Sequence, residues 1–413
     1  MRQLIRNVAI FDGTGAASVP GAVVVEGDRI AAVLHDESEI AAQHVDVEID
    51  GKGGTLMPGM VDAHTHLTWG SSVEKIYHQF ILPPEELKVA AWRNARVLLD
   101  HGFTSIYSAG ALGDGIETEL ARAIEAGEAP GPRLIPSTLE RSPEGEEGVE
   151  TGDVFNGRGP EAMRAFIAYC AQEGVKSVKL VISGEDALKP GSAQDILYTD
   201  AEMQAAGEAA KDAGLWIATH AYTPRAINLA LEAGARILYH CSFADEAAIA
   251  AMAAKKDEIF YAPGAGVSVA ALEATPPPHI DMSAMKASAA QRMELEAKLV
   301  PELKKRGVRI LIGGDYGFPF NPNGRNARDL EHFVTYFGFT PAEALSAATM
   351  LGGQLMGQGD ELGLVRQGYL ADLLLVDGDP TQDVSIMQDA ARIRMIMKGG
   401  QLHKAPFTQP VTA

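Results

Sequence analysis

The chain has 413 residues, 46% of them hydrophobic and 22% charged, and its formal net charge is −20. This composition is typical of a globular protein too long for a single core, and the strong negative charge argues against nucleic acid and anionic membranes as partners. The two cysteines, Cys170 and Cys241, are too few for a disulfide framework or a thiolate metal cluster.

The first apolar run of the chain is short, and it is interrupted by Arg6, Asn7 and Asp12, which is not the pattern of a signal peptide. No uninterrupted apolar stretch reaches the roughly 18 residues that a membrane-spanning helix requires. We therefore expect a cytoplasmic protein that has neither a membrane nor a nucleic acid as its partner.

Short strands and turns are predicted at both ends of the chain. The segment Ala22–Val33 holds two β-rich runs around a Gly-Asp pair, a pattern that predicts a hairpin. Similar runs around glycine-containing turns return at Leu362–Asp379. We therefore expect a small β domain built from residues 1–57 and 360–413, and a different domain at residues 58–359.

The middle of the chain alternates helical segments with short apolar runs. Eight such runs carry strand signals, and they begin at residues 55, 103, 133, 177, 215, 236, 258 and 309. This alternation predicts an α/β fold, a (β/α)8 TIM-like barrel with a small β-sandwich domain formed from both termini. The rival fold, a doubly wound open sheet, is disfavoured because no G-x-G-x-x-G pattern follows the first strand.

The longest irregular stretch is the proline-rich segment 273–291, which follows the seventh predicted strand. It should lie on the loop face of the barrel. Loops of this length are often lids, and a surface excursion without function is the alternative.

Polar side chains stand where several of the predicted strands end. The first strand ends in His64 and His66, whose i, i+2 spacing turns both imidazoles to one side; two polar residues in a turn are the alternative interpretation. Later strands end in His220, His240 and Asp315. Because barrel strands end at one face, and because imidazole and carboxylate are common ligands of zinc and related metals, the pattern predicts a metal site.

Lys179 lies in the middle of the apolar run "SVKLVISG". A buried ammonium group without a partner is costly, because its charge must leave water. We therefore expect that Lys179 is neutralised or chemically modified, or that it extends to the edge of the strand.

The segments "PGMVDAHTHL", "VKLVISG", "THAY", "YHCS" and "GGDYG", in this order, resemble the amidohydrolase superfamily of metal-dependent hydrolases. The closing "LGLVRQGYLADLLLVDGDP" resembles that family's return to its small β domain, so the resemblance spans nearly the whole chain. It implies a centre of two divalent metal ions. The metal is expected to be zinc, although the same ligands accept manganese, iron or cobalt.

The resemblance also implies a role for each polar residue. His64 and His66 would bind the more buried metal, and His220 and His240 the second. Lys179 would take up carbon dioxide and become a bridging carbamate. Asp315 would bind the first metal and act as general base and acid.

The lysine separates branches within the superfamily, because the mononuclear deaminases usually lack it. The chain looks closest to the branch that contains dipeptidases, carboxypeptidases and ochratoxin-type amidases. The expected reaction is hydrolysis of a peptide-like amide, an N-acyl amino acid or a dipeptide, by a metal-bridging hydroxide. Hydrolytic ring opening or deamination of a cyclic amide, lactone or aminated ring is the alternative, and a non-catalytic binding barrel is a third.

Contacts with a small-molecule substrate are expected from loops near the strand ends. Tyr222 follows His220 by two residues, so its hydroxyl would bind the substrate carbonyl or oxyanion. The loop after Asp315 lacks the histidine found in many such peptidases, and Arg225 or Arg325 would then bind the substrate carboxylate. Trp69 and His78 are further candidate contacts. The alternative for His78 is a position on a surface helix, away from the pocket. We also expect a homo-oligomer.

Overall fold

A computed structural model of the chain describes residues 1–70, 82–142, 157–185, 191–406 and 409–410. Within these ranges there are sixteen strands and twelve α-helices. The strands are β1 (Arg2–Ile10), β2 (Val19–Glu26), β3 (Arg29–Leu34), β4 (Val47–Pro58), β5 (Met60–Thr65), β6 (Phe103–Ser108), β7 (Arg133–Ile135), β8 (Ser177–Val181), β9 (Trp216–Ala221), β10 (Ile237–His240), β11 (Phe260–Ala262), β12 (Arg309–Ile310), β13 (Leu373–Val376), β14 (Ile393–Lys398), β15 (Gln401–Lys404) and β16 (Gln409–Pro410).

The first helix lies between two strands of the terminal sheet, and the others lie within or directly after the barrel region. The helices are α1 (Glu37–Ala41), α2 (Pro84–Asp100), α3 (Ile116–Glu125), α4 (Pro160–Glu173), α5 (Asp200–Ala213), α6 (Pro224–Glu232), α7 (Glu246–Ala254), α8 (Ala265–Glu273), α9 (Ser283–Lys305), α10 (Arg328–Phe337), α11 (Pro341–Ala348) and α12 (Met350–Leu355). Within the described ranges, none of them combines the length and the apolar character that crossing a bilayer would require.

All eight strands predicted in the middle of the chain are present, and they run parallel. Strands β5 to β7 form one sheet and β8 to β12 form another. Parallel bridges join the two sheets at both edges, between Arg141 and Leu180 and between Thr65 and Tyr316. The strands therefore close into a ring, which confirms the predicted barrel and brings all eight carboxyl ends to one rim.

Helix α2 shows how the helices cover this ring. Its residues Leu87, Ala91, Ala95 and Leu98 recur at spacings of three and four, and all are buried. This stripe faces the barrel, in keeping with an amphipathic helix. Truncating the fully buried Leu98 to alanine would cost about 2–5 kcal/mol of stability, because the cavity would not collapse completely.

The two ends of the chain meet in one sheet of eight strands. Its order is β15-β14-β13-β4-β1-β2-β3, and β16 pairs with β4. Alternate residues pack on opposite faces, since Ile5 and Val23 belong to one apolar cluster and Leu4 and Val24 to another. Strands β2 and β3 form the predicted hairpin, whose turn contains Gly27 at a φ of 64°.

The segment 273–291 requires a correction. Only about its first half is irregular, because helix α9 begins at Ser283 and continues for 23 residues. The prolines that suggested a long loop all lie before residue 279. Residues 283–291 are rich in alanine, the strongest helix former, and they lie within the helix.

Candidate active site

Two histidines and an aspartate meet at the rim of the barrel. His64 lies in β5 and His66 directly after it, and Asp315 follows β12. Asp315 Oδ1 lies 3.0 Å from His66 Nε2 and 3.3 Å from His64 Nε2. One ligand atom from each of the three buried residues lies within 4.8 Å of the others, which is a spacing suited to a single ion.

A second pair of imidazoles adjoins the first. His220 is the penultimate residue of β9 and His240 is the last residue of β10, and their ring centroids lie 4.7 Å apart. The ring centroids of His240 and His64 are separated by 5.2 Å. His240 Nε2 also lies 4.0 Å from Asp315 Oδ2, so the two pairs share this carboxylate as a neighbour.

The imidazoles are in the form that binds metals. Burial lowers the pKa of His220, and it lowers the pKa of His64 and of His240 well below the usual value, so these rings are neutral near pH 7. Among the described residues, three of these buried ring nitrogens lack a hydrogen-bond partner: Nδ1 and Nε2 of His64, and Nε2 of His220. Buried nitrogens without partners are costly, and coordination of a cation would satisfy them.

A backbone carbonyl orients the ring of His66. Its Nδ1 donates to the carbonyl oxygen of Gly110 at 3.0 Å, as the outer ring nitrogen of a metal-ligating histidine commonly does. The other ring nitrogen, Nε2, faces Asp315 Oδ1 at 3.0 Å. An imidazole nitrogen and a carboxylate oxygen so arranged beside His64 are suited to bind one ion. The residues therefore fit a divalent metal.

The electrostatics and backbone of Asp315 are those of a functional residue. Burial opposes ionisation of its carboxyl group, but the attraction of His64, His66 and His240 in their protonated forms, together with the hydrogen bond from His66, outweighs burial and holds the pKa of Asp315 well below the usual range. Asp315 and His240 have φ values of 59° and 69°, a region that residues other than glycine rarely adopt. Such strain persists where tertiary structure enforces it, often at functional sites.

Gly264 explains how the second pair of imidazoles is accommodated. A Cβ atom at this position would lie 2.7 Å from His240 Nδ1, and the φ of Gly264 is 77°. The position therefore requires glycine, both for its backbone conformation and for the close approach of the imidazole.

Lys179 lies in β8 with a side chain that is only 2% exposed. Its Nζ donates to the carbonyl oxygen of Ala109 at 2.9 Å and lies 3.3 Å from Glu140 Oε2. Glu140 Oε1 in turn lies 3.6 Å from His66 Nδ1. Sequence reasoning missed Glu140, although it follows the third barrel strand by a few residues, so the strand-end argument applied to the other rim residues would have found it.

Buried polar groups behind the site hold His64 in place. The carboxylate of Asp62 accepts the backbone N–H of His64 at 2.8 Å and the side-chain amide of Asn326 at 2.7 Å. Burial raises the pKa of Asp62 to about 7. Neither Asp62 nor Asn326 was singled out in the sequence.

Aromatic side chains line two sides of the site. The ring of Tyr222 lies 4.5 Å from that of His220, and burial raises the Tyr222 pKa well above its usual value, so its hydroxyl remains a donor. The hydroxyl donates to Glu185 Oε2 at 2.8 Å. On the other side, Trp69 stacks on His66 with 3.7 Å between ring centroids and meets Phe318 edge to face.

The remaining predicted substrate contacts are less well placed. Arg225 is half exposed, and its guanidinium forms an ion pair with Asp200. Arg325 lies on the wall of a cavity of about 370 Å³ with Phe320, which stacks on Phe318. His78 lies outside the described residues.

Comparisons with known proteins agree with this arrangement. A family model described as "Amidohydrolase family" matches residues 55–403. The ochratoxinase of Aspergillus niger is 26% identical over 415 aligned residues, covering 94% of this chain and 84% of that protein. The imidazolonepropionase of Anaeromyxobacter sp. (strain K) is 28% identical over 433 residues, covering 95% of this chain and 92% of the relative.

The fold is also found among solved structures. A crystal structure of a Xaa-Pro dipeptidase with bound methionine superimposes with a TM-score of 0.85 at 24% sequence identity. The match covers 98% of this chain and all of that chain. At this level of identity, the likeness establishes the architecture of barrel and β domain.

Proposed function

The chain belongs to the amidohydrolase family, and on that premise we propose that this hydrolase cleaves the amide bond of an N-acyl amino acid, a dipeptide or a similar small substrate. The observation that carries the proposal is the convergence of four imidazoles, Asp315 and buried Lys179 on one rim of the barrel. Neutral imidazoles beside an ionised carboxylate are a ligand set for divalent metals.

We propose a centre of two metals, with zinc as the expected ion. His64, His66 and Asp315 would hold one ion, and His220 with His240 would hold the other. Lys179, as a carbamate, would supply an additional anionic ligand. Bound divalent ions lower the pKa of water to near neutrality and polarise a carbonyl oxygen, which is the chemistry that amide hydrolysis requires.

Asp315 would move the proton. Its carboxylate is ionised and lies between the two histidine pairs, so it can accept a proton from the attacking water. The same carboxyl group would then donate that proton to the leaving nitrogen, which must be protonated before it departs as an amine.

The chemical form of Lys179 connects it with Glu140. As an ammonium, Lys179 is compensated by the Glu140 carboxylate 3.3 Å away. As a carbamate, formed with carbon dioxide, it would itself be the anion and would require cations beside it. We propose that the carbamate form accompanies the loaded metal centre.

The names of the relatives support amide hydrolysis, because an ochratoxinase and a Xaa-Pro dipeptidase both act on amide bonds. The imidazolonepropionase match favours a second candidate, hydrolytic opening of a cyclic amide. We prefer the first because a cavity with many apolar lining residues, among them Ile280 and Met285, lies beside the aromatic wall at Phe320. That cavity suits a separate apolar or aromatic part of an acyclic substrate.

A cytoplasmic location and a homo-oligomeric state also belong to this proposal. Both cysteines are unbridged and buried, which suits a reducing compartment. Fractionation of cells that express the native gene, and sedimentation analysis of the purified protein, test the two statements separately.

Elemental analysis of the purified protein, followed by a hydrolysis screen, tests the proposed function. We expect two equivalents of a divalent metal per chain and release of free amino acids from N-acyl amino acids or dipeptides. The chelated protein with and without restored metal is the control. Opening of cyclic amides or lactones without any amide cleavage in the acyclic panel would favour the second candidate instead.

A further inference from the structure

The strained turn that carries Asp315 is held from behind by residues that the proposed chemistry does not use. Asp315 has a φ of 59°, which residues other than glycine adopt only where neighbouring groups enforce it. Asn321 Nδ2 donates to the carbonyl oxygens of Gly314 and Asp315, at 2.9 Å each. The peptide groups on both sides of Asp315 are therefore fixed by a contact that lies outside the metal ligands.

Asp329, near the start of helix α10, supplies two further contacts to this turn. Its buried carboxylate accepts the backbone N–H of Gly313 at 3.0 Å through Oδ2 and the Tyr316 hydroxyl at 3.2 Å through Oδ1. One side chain thus binds the chain both before and after Asp315. A Cβ atom at Gly314 would lie 2.5 Å from Asp329 Oδ1, so the lack of a side chain there is what lets the carboxylate approach.

The residue three positions before Asp329 holds the other ligand-bearing turn. Asn326 Nδ2 donates to Asp62 Oδ2 at 2.7 Å, and Asp62 Oδ1 accepts the backbone N–H of His64 at 2.8 Å. Asn326 and Asp62 are both buried, so water does not compete for these hydrogen bonds. One short segment of the chain therefore reaches both turns that carry the ligands of the first ion.

We propose that Asp329 and Asn326 are positioning residues that set the geometry of the first metal site, Asp329 through Asp315 and Asn326 through His64. The inference rests on the proposed metal centre and extends it by two residues that would touch neither metal nor substrate. Groups that hydrogen-bond behind metal ligands orient them, and their loss weakens metal affinity by about 10- to 100-fold.

Loss of these contacts should affect the two ions unequally. The first ion would be held by His64 and Asp315, whose turns the segment 326–329 holds. The second would be held by His220 and His240, which lie in β9 and β10. Within the described part of the chain, the carbonyl oxygens of these two histidines accept from Ile182 and Tyr261 instead.

Chelator competition on the zinc-loaded protein measures the two affinities separately. Asp329→Asn should raise the Kd of the first zinc ion by about 10- to 100-fold and that of the second by less than about threefold. The amide preserves the size of the side chain and one acceptor, but loses the charge that strengthens its hydrogen bonds. Tyr316→Phe, which removes a single bond, should act in the same direction and more weakly. His220→Ala, which lacks a ligand of the second ion, identifies the step that belongs to that ion.

Asp372→Asn is the matched control. Asp372 is also buried, and it accepts a backbone N–H, that of Gly399 at 2.7 Å, together with the guanidinium of Arg133. Arg133 begins β7, so this carboxylate lies at the end of the barrel opposite the metal-binding rim. Asp372→Asn should leave the Kd of both zinc ions unchanged, even if it lowers the stability of the protein.

A double-mutant cycle separates positioning from a general loss of structure. If Asp329 acts through Asp315, Asp329→Asn should change the first Kd by less than about twofold in an Asp315→Asn background. Asn326→Ala should keep its effect in that background, because it acts through His64. Additive losses from Asp329→Asn and Asp315→Asn, or equal weakening of both ions by Asp329→Asn, would overturn the inference.

A crystal structure of metal-free Asp329→Asn separates the inference from the proposed function, because it requires neither zinc nor substrate. The turn should relax, so that Asp315 Oδ1 moves about 1 Å or more away from His66 Nε2. An unchanged turn with unchanged zinc affinities, in a protein that hydrolyses amides, contradicts positioning by Asp329 alone. Failure to hydrolyse any amide, while turn and affinities respond as expected, contradicts the proposed function alone. Wild-type protein that binds no zinc contradicts both.

Discussion

His66 Nε2 lies 3.0 Å from Asp315 Oδ1, although 249 positions separate the two residues along the chain. His66 follows the first barrel strand and Asp315 the last, and the parallel bridge between Thr65 and Tyr316 joins the strand edges that carry them. Closure of the barrel therefore brings the candidate metal ligands together on one rim.

Asp315→Asn is expected to lower kcat by about 10²- to 10⁴-fold, because the amide cannot accept and return a proton. Steady-state kinetics on the best acyl amino acid of the screen will measure it. Metal content should be determined in parallel, since Asp315 also belongs to the proposed ligand set. A kcat within threefold of wild type would exclude the proton-transfer role.

Removal of metal by a chelator is expected to abolish activity and destabilise the fold. An ion present at 100 to 1000 times its Kd stabilises the native state by about 3–4 kcal/mol, because it does not bind the unfolded chain equally. Thermal unfolding followed by circular dichroism, before and after chelation and after restoring zinc, measures the effect. An unchanged Tm together with full activity after exhaustive chelation would contradict the metal centre.

Lys179→Ala is expected to inactivate the enzyme and to reduce metal binding, because the bridging anion is lost. Acetate or formate should restore part of the activity by entering the space that the side chain leaves. The control is Lys176→Ala, since Lys176 lies near the same strand but donates to the Gly214 carbonyl oxygen. Full activity of Lys179→Ala without any added carboxylate would exclude the carbamate.

Tyr222→Phe distinguishes two roles for one hydroxyl. If it binds the substrate carboxylate, KM for N-benzoyl amino acids should rise about 10- to 100-fold, and their primary amides should be little affected. If it instead stabilises the oxyanion, kcat should fall equally for acids and amides. We expect the first pattern, because the hydroxyl donates to the Glu185 carboxylate in the structure.

Glu296 should make stability depend on pH. Burial raises its pKa to about 8, from an ordinary value near 4.5, and Ser242 donates to its carboxyl group at 2.6 Å. Between these two values the folded state keeps a proton that the unfolded state has lost. This group therefore lowers the free energy of unfolding as pH rises through that window, by up to about 1.4 kcal/mol per pH unit, and has no further effect above pH 8.

Glu296→Gln should remove this contribution, because glutamine has a similar shape and does not titrate. Urea unfolding of wild type and variant at pH 5, 6, 7 and 8 should show the difference between them changing steadily with pH. Glu302→Gln, at a partly exposed position on the same helix, should show the same pH dependence as wild type between pH 5 and 8. Parallel pH profiles of wild type and Glu296→Gln would mean that Glu296 is ionised in the folded protein.

Much of the architecture was predictable because local patterns encode it. The eight apolar runs are the eight barrel strands, and the family resemblance and the barrel are both confirmed. The prediction of an irregular stretch at residues 273–291, which was based on the prolines near residue 276, is wrong from Ser283 onwards, where the alanine-rich sequence forms helix α9. The ligand roles of the rim residues remain predictions, although the structure brings His64, His66, His220, His240 and Asp315 together.

Glu140, Glu185 and Arg292 were not predicted, for a physical reason. An arginine in a helix, or a glutamate in a loop, has the same local pattern whether it faces solvent or a site. Arg225 and Arg292 show this directly, since the first is paired in solvent with Asp200 and the second is buried over Tyr222.

By itself, the sequence determined the order of strands and helices, the face of the barrel that carries chemistry and the residue types available there, because strand alternation and burial are local properties. Only the tertiary structure decided which distant groups meet: Asp315 with His66, Glu140 with Lys179, and Arg292 with Glu185. These pairings depend on barrel closure and on how helix α9 crosses the rim, which are long-range packing outcomes that short stretches of sequence do not encode.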